Sequence, residues 1–182
     1  YNIETAGNML YLINKSLANS KNLSVGGTIE QFQIFNTPFA QYLKFDLEFR
    51  KAWMDGYYNF LVVRAFGGGA FAYGNSDQIP FERKFFSGGA NGIRAWPIRT
   101  LGPGSFQQNP NEFPNQSGDV KLEANAEYRF NMAGPLEGAL FVDMGNIWSI
   151  KDNRPGTEFD FGSFSKEIAV GSGVGLRYDF SY

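Results

Sequence analysis

No cysteine and no histidine occur among the 182 residues. Their absence removes a thiol nucleophile, a Ser-His triad, imidazole acid-base work and most transition-metal sites. Catalysis would have to rest on carboxylates, lysine or tyrosine, so the chain is not expected to be an enzyme, and no cofactor or metal is expected. Charge is scarce as well. Charged residues make up 19% of the chain, and 16 basic against 18 acidic side chains leave a net charge of -2 with no basic cluster, which argues against a nucleic-acid partner. No run approaches the roughly 18 to 20 apolar residues of a membrane-spanning helix, so a helical membrane protein is excluded. An initiating Met and a signal peptide are also missing; the chain starts at Tyr1 and reads as a fragment or mature portion of one domain at most.

What is abundant is glycine, at 22, with 19 phenylalanines and 9 tyrosines, a mixture that favours twisted, aromatic-banded sheets. Residues 119–132 alternate strictly: Lys121, Glu123, Asn125, Glu127, Arg129 and Asn131 against Leu122, Ala124, Ala126, Tyr128, Phe130 and Met132. That is the period of a strand with one polar face. Residues 41–53 repeat it, with Lys44, Asp46, Glu48 and Arg50 opposite Leu43, Phe45, Leu47, Phe49 and Trp53. Residues 136–150 and the terminal segment from Glu167 continue the pattern. Residues 58–73 are a weaker case, with Arg64 on the polar side, and 80–86 and 2–11 are weaker still. The count is about seven strands, several as long as the roughly 9 to 11 residues that cross a bilayer when tilted.

Alternation alone leaves a soluble sandwich or lipocalin-like barrel open. The aromatic residues Trp53, Tyr57, Tyr58, Tyr73, Tyr128, Trp148, Tyr178 and Tyr182 lie towards strand ends, as an interfacial girdle requires, and favour a transmembrane barrel. Two connections, Met54-Asp55-Gly56 and Ala133-Gly134-Pro135, are hairpin-sized, whereas 14–38, 89–117 and 152–165 are long. Counting strands places 14–38 on the opposite side of the membrane from the other two. Gly-rich runs at 67–69 and 87–92 lack the Lys-Ser/Thr and helix of a phosphate cradle.

The segment Gly88-Gly89, then Ile93-Arg94-Ala95-Trp96, then Leu101-Gly102-Pro103 resembles the loop motif of the BamA/TamA superfamily of outer-membrane assembly barrels. The resemblance continues through residues 122–130, 141–148 and 173–178, and is similar in flavour to Bacteroidota members. Ala95 departs from it, standing where many members carry Gly. The resemblance implies an all-β, antiparallel transmembrane β-barrel of sixteen strands preceded by periplasmic POTRA modules. Residues 1–182 would then be part of its C-terminal barrel domain, supplying the eighth to fourteenth strands, with 89–117 as a long loop folded inwards.

The resemblance also implies that the loop arginine is held by acidic residues of the inner wall. If the hairpin at 133–135 is centred on Pro135, Glu127 and Asp143 stand directly opposite each other, which is destabilising unless a cation is shared. On spacing alone, Arg94 and a local partner such as Arg129 are equal candidates; with the family resemblance, Arg94 is favoured. Lys44, Asp46, Glu48, Arg50, Arg64, Lys121 and Glu123 are read as solvating the lumen rather than lining a conduction path. The expected function is assembly and insertion of outer-membrane β-barrel clients in the bacterial outer membrane. Expected partners are outer-membrane lipids or lipopolysaccharide, unfolded clients, and accessory lipoproteins or periplasmic modules. The alternatives are a two-partner-secretion transporter and a passive porin.

Overall fold

A computed structural model of the chain describes residues 1–20, 32–34, 37–56, 59–107, 109, 111 and 115–178. In chain order its elements are β1 (Asn2–Ala6), α1 (Asn8–Ser20), β2 (Gln33–Ile34), β3 (Thr37–Pro38), β4 (Tyr42–Asp55), β5 (Asn59–Ala72), β6 (Val120–Ala133), β7 (Leu136–Trp148) and β8 (Ala169–Tyr178). The pair β2 and β3 is a separate small hairpin. The other six form one antiparallel sheet in the order β1-β4-β5-β6-β7-β8. Strands β4 to β7 are 13 or 14 residues long, enough to cross a bilayer with tilt.

The two faces of this sheet are inverted relative to a soluble one. Phe45, Leu47, Phe49 and Trp53 on β4, Leu140, Val142 and Met144 on β7, and Val170, Val174 and Leu176 on β8 stand exposed, Val174 at 79%. Glu123, Glu127 and Asp143 are buried on the other face. Water would penalise the first arrangement and hydrocarbon would not. An apolar cluster of Tyr42, Ala70, Ile79, Phe85 and Ile147 closes the inner side at the end of the long connections.

Four sequence expectations are corrected. The main sheet has six strands rather than seven, because 80–86 is not a strand: Phe81–Arg83 is a 3-10 turn, and only Phe85 makes a bridge, to Gly118. The alternation there arises because Phe85 packs inwards while Phe81 and Phe86 lie beneath the Arg99 guanidinium. Strand β1 stops at Ala6, and the chain turns into α1 at Gly7, whose φ is +77 and where a Cβ would lie 2.3 Å from the Ala40 carbonyl oxygen.

Removing the false strand changes the parity. The connections 7–41, 73–119 and 149–168 all leave from one end of the sheet, and the two short turns lie at the other, the usual division in outer-membrane barrels. Finally, Trp148 is no girdle residue: it is fully buried against Phe159 and Phe164, its indole N–H donating to Glu167 at 2.6 Å. Trp53, Tyr73 and Tyr178 are exposed near strand ends, Tyr128 is half-buried, and Tyr57, Tyr58 and Tyr182 lie outside the described residues.

Candidate functional site: a loop held against the inner wall

The connection 73–119 leaves β5, folds back over the polar face and returns into β6. Its neck is closed by reciprocal backbone hydrogen bonds between Phe85 and Gly118, both 2.8 Å. The Phe85 ring lies on Gly68, where a Cβ would be 2.7 Å from it, so the inward glycine of β5 is a seat for this ring. Around the neck, side chains of the wall take hold of the loop in sequence. Lys44 donates to the Arg83 carbonyl at 2.9 Å, Lys121 to that of Phe86 at 2.9 Å, and the Ser87 hydroxyl donates to Glu123 at 2.8 Å.

Gly88 and Gly89 have φ of +88 and +85, and a Cβ on Gly88 would lie 2.2 Å from the Pro97 carbonyl oxygen. That conformation turns the chain into a compact tip, closed by the Gly89 N–H donating to the Trp96 carbonyl at 2.8 Å. Ile93 is fully buried within it. Ala95 is not among the residues with positive φ, so this backbone does not require glycine there. Ala95 and Trp96 rest on Gly171 of β8, where a Cβ would come within 2.4 Å of the Ala95 methyl.

The tip delivers Arg94 to the wall about 17 Å from the loop end of β7, five residues along the strand. Its Nε and Nη2 donate to the two oxygens of Asp143, each at 2.8 Å, and its backbone N–H adds a third bond to the same carboxylate at 3.0 Å. Its Nη1 donates to Glu127. The guanidinium also lies 3.6 Å over the Phe141 ring. Asp143 is fully buried, so without Arg94 its charge would be stranded. The remaining acceptor sites are taken: Asn125 bonds Asp143 at 2.9 Å, and Arg129 and Arg177 bond Glu127 at 2.7 and 2.9 Å.

The register differs from the one expected. Asp143 stands opposite Asn125, and Glu127 opposite Phe141, because the ladder shifts between Asn131 and Ala133 beside a two-residue turn at Gly134 and Pro135. The two acids are therefore diagonal neighbours on one face. A diagonal separation leaves room for the guanidinium between them.

Leu101, Gly102 and Pro103 form a second attachment nearer the rim. Gly102 has φ +77 and precedes a cis proline, Pro103 is fully buried, and the Gly104 N–H donates to the Ile147 carbonyl at 2.7 Å. Asn146 bridges the two long loops, donating to the carbonyls of Gly104 and Glu167. In the loop 149–168, Arg154 packs over Phe106 and its hydrogen bonds hold the Asp152 carboxyl below the usual range.

Sequence alternation assigns several residues of this arrangement only to lumen solvation. Arg64 donates to Glu48 at 3.0 Å, to Glu123 at 3.2 Å and to Asn125 at 3.0 Å, and also reaches the Asn91 carbonyl. With Lys44, Lys121 and Glu123 it belongs to the grip on the loop. Asn125, which bonds both the Gly92 carbonyl and Asp143, was not singled out at all, although its inward phase between Glu123 and Glu127 was the available signal.

Residues 12–181 match the Omp85 superfamily domain. Over 84 residues, 43% of this chain, the sequence is 32% identical to the outer membrane protein assembly factor BamA of Neisseria meningitidis serogroup B, of which those residues are 10%. The chain thus spans about a tenth of the length of that relative.

Proposed function

The chain belongs to the Omp85 superfamily, an outer-membrane β-barrel family of protein assembly and translocation, and from that premise we propose that it acts as an insertase for β-barrel clients in a Gram-negative outer membrane. Among the described residues β1 and β8 each have a strand neighbour on one side only, and lipid does not tolerate such edges, so the six strands read as an arc of a larger barrel. The remaining strands, with periplasmic modules or accessory lipoproteins, complete the working unit. The mechanism is non-covalent: strand edges of the barrel template incoming strands by backbone pairing.

The observation that carries this reading is the loop tip latched by Arg94 across β6 and β7, with Gly171 of β8 beneath it. Spanning three adjacent strands fixes their relative tilt and register, and a templating edge needs register fixed to one residue. A passive channel has no such need. Depleting the protein is expected to lower several unrelated outer-membrane barrel proteins together, measured by quantitative proteomics of isolated outer membranes. Normal levels of those proteins alongside reduced uptake of small solutes would replace the insertase with a porin. Loss of one secreted polypeptide alone would favour a two-partner-secretion transporter.

A further inference from the structure

On the outward side of the sheet, away from the loop, β4, β5 and β6 carry an open hollow of about 750 Å³. Its floor is the backbone of Gly67 and Gly69, both in the outward phase of β5, and its walls include Phe45, Phe49, Phe71 and Leu122. The Phe45 and Phe71 rings stack 6.0 Å apart beside Gly69. Phe159 and Phe161 from the loop 149–168 roof its rim end, Phe161 at 85% exposure.

The glycine at 67 has no packing reason. Gly68 must admit the Phe85 ring and Gly69 is crowded by Phe45 and Phe71, but a Cβ on Gly67 would meet only Leu122, at an ordinary 3.5 Å. The missing side chain leaves the hollow open. From Phe71 to Ala65 the hollow follows six residues of β5, about 20 Å along the strand. At a tilt of about 45° this is a depth of about 14 Å, one leaflet of a hydrocarbon core about 30 Å thick. At the rim, a smaller recess shares Phe71 and Ile150 with it and carries the charged side chains Lys151 and Asp77 beside the ion pair of Lys84 and Asp119, 3.2 Å apart.

We propose that this groove holds one acyl chain of a lipid from the leaflet on the loop side, with the headgroup at the mixed-charge recess. The groove is continuous with the exposed apolar face, so lipid is the solvent that meets it. A polypeptide strand is a poor occupant, because β4, β5 and β6 are all interior strands whose ladder groups are already paired, and a backbone laid there would be unsatisfied in hydrocarbon. An acyl chain requires no hydrogen bond. The proposal rests on this face meeting lipid, not on insertase activity.

The test is native mass spectrometry of the full-length protein, transferred from nanodiscs of dimyristoyl phosphatidylcholine into detergent micelles. The wild type is expected to retain one lipid after the others are stripped. Gly67→Leu fills the groove from its floor and should lower that retained fraction at least about tenfold, as loss of roughly two buried methylenes would. Phe161→Ser, in an exposed loop position, should lower it in the same direction, while Val170→Leu on β8 should leave it unchanged. Folding is checked by the mobility of unheated protein on SDS gels; should Gly67→Leu fail that check, Phe161→Ser decides. Folded variants that keep the lipid at the wild-type level, or equal loss in Val170→Leu, would overturn the proposal.

Discussion

Among the described residues Arg94 is the one cation that bonds both Asp143 and Glu127, and its planar fork matches the two oxygens of Asp143 while Nη1 remains for Glu127. Removing one partner of a buried ion pair costs about 3 to 5 kcal/mol in a dry site, and water in the lumen reduces that figure. Arg94→Ala is therefore expected to lower the temperature at which the folded form disappears on SDS gels. Arg94→Lys should recover only part of the loss, because an ammonium lacks the parallel N–H pair. Adding Asp143→Asn to Arg94→Ala should restore some stability by removing the stranded charge. A double variant no more stable than Arg94→Ala would show that the acid is solvated and the latch is not electrostatic. The three residues were legible in sequence from the inward phase of β6 and β7 and from the loop motif. Their diagonal relation was not, because a ladder shift between Asn131 and Ala133 leaves no mark in the alternation.

At the scale of elements, legibility followed burial on one face only. Strands β4, β6 and β7 alternate cleanly because one side meets hydrocarbon and the other a polar interior. Residues 80–86 mimic that period for another reason, since Phe85 seats on the inner wall while Phe81 and Phe86 lie by Arg99 of the loop, and Pro80 is the sequence signal against a strand. Helix α1 was missed because alternation was carried past Gly7, the residue where the backbone leaves the strand. The phase of β7 yields a direct prediction. Val142 points outward beside Leu140 and Met144, so Val142→Arg places a charge on the lipid face at a cost of about 2 to 4 kcal/mol near the bilayer midplane. The variant should accumulate less folded barrel in outer-membrane fractions, while Val142→Leu should match the wild type. An Arg variant assembling normally would mean that this face is not in lipid.

Over the whole molecule, one misread segment had the largest effect, because each strand added or removed reverses the side to which every later connection is assigned. With six strands in the main sheet, all three long connections share one end, and the latch, the aromatic roof and the bridging Asn146 lie towards that end. Among the described residues, the turns that join β4 to β5 and β6 to β7 lie at the opposite end. Between the ends, the outward face exposes phenylalanine, leucine, valine and methionine across β4, β7 and β8. Soluble monomers rarely expose contiguous apolar patches beyond about 300 to 600 Å². Transferring such a face from lipid to water costs on the order of 25 cal/mol for each Å² of apolar surface, so about 600 Å² already costs roughly 15 kcal/mol, the upper end of the stability of most domains. The intact protein is therefore expected to leave membranes only with detergent and to aggregate when detergent is removed, as followed by sedimentation velocity. Returning it to lipid vesicles should recover the compact form that resists unheated SDS. A protein that sediments as a single monomeric species in plain buffer would place the apolar face against water, and both the barrel assignment and the acyl-chain groove would fall with it.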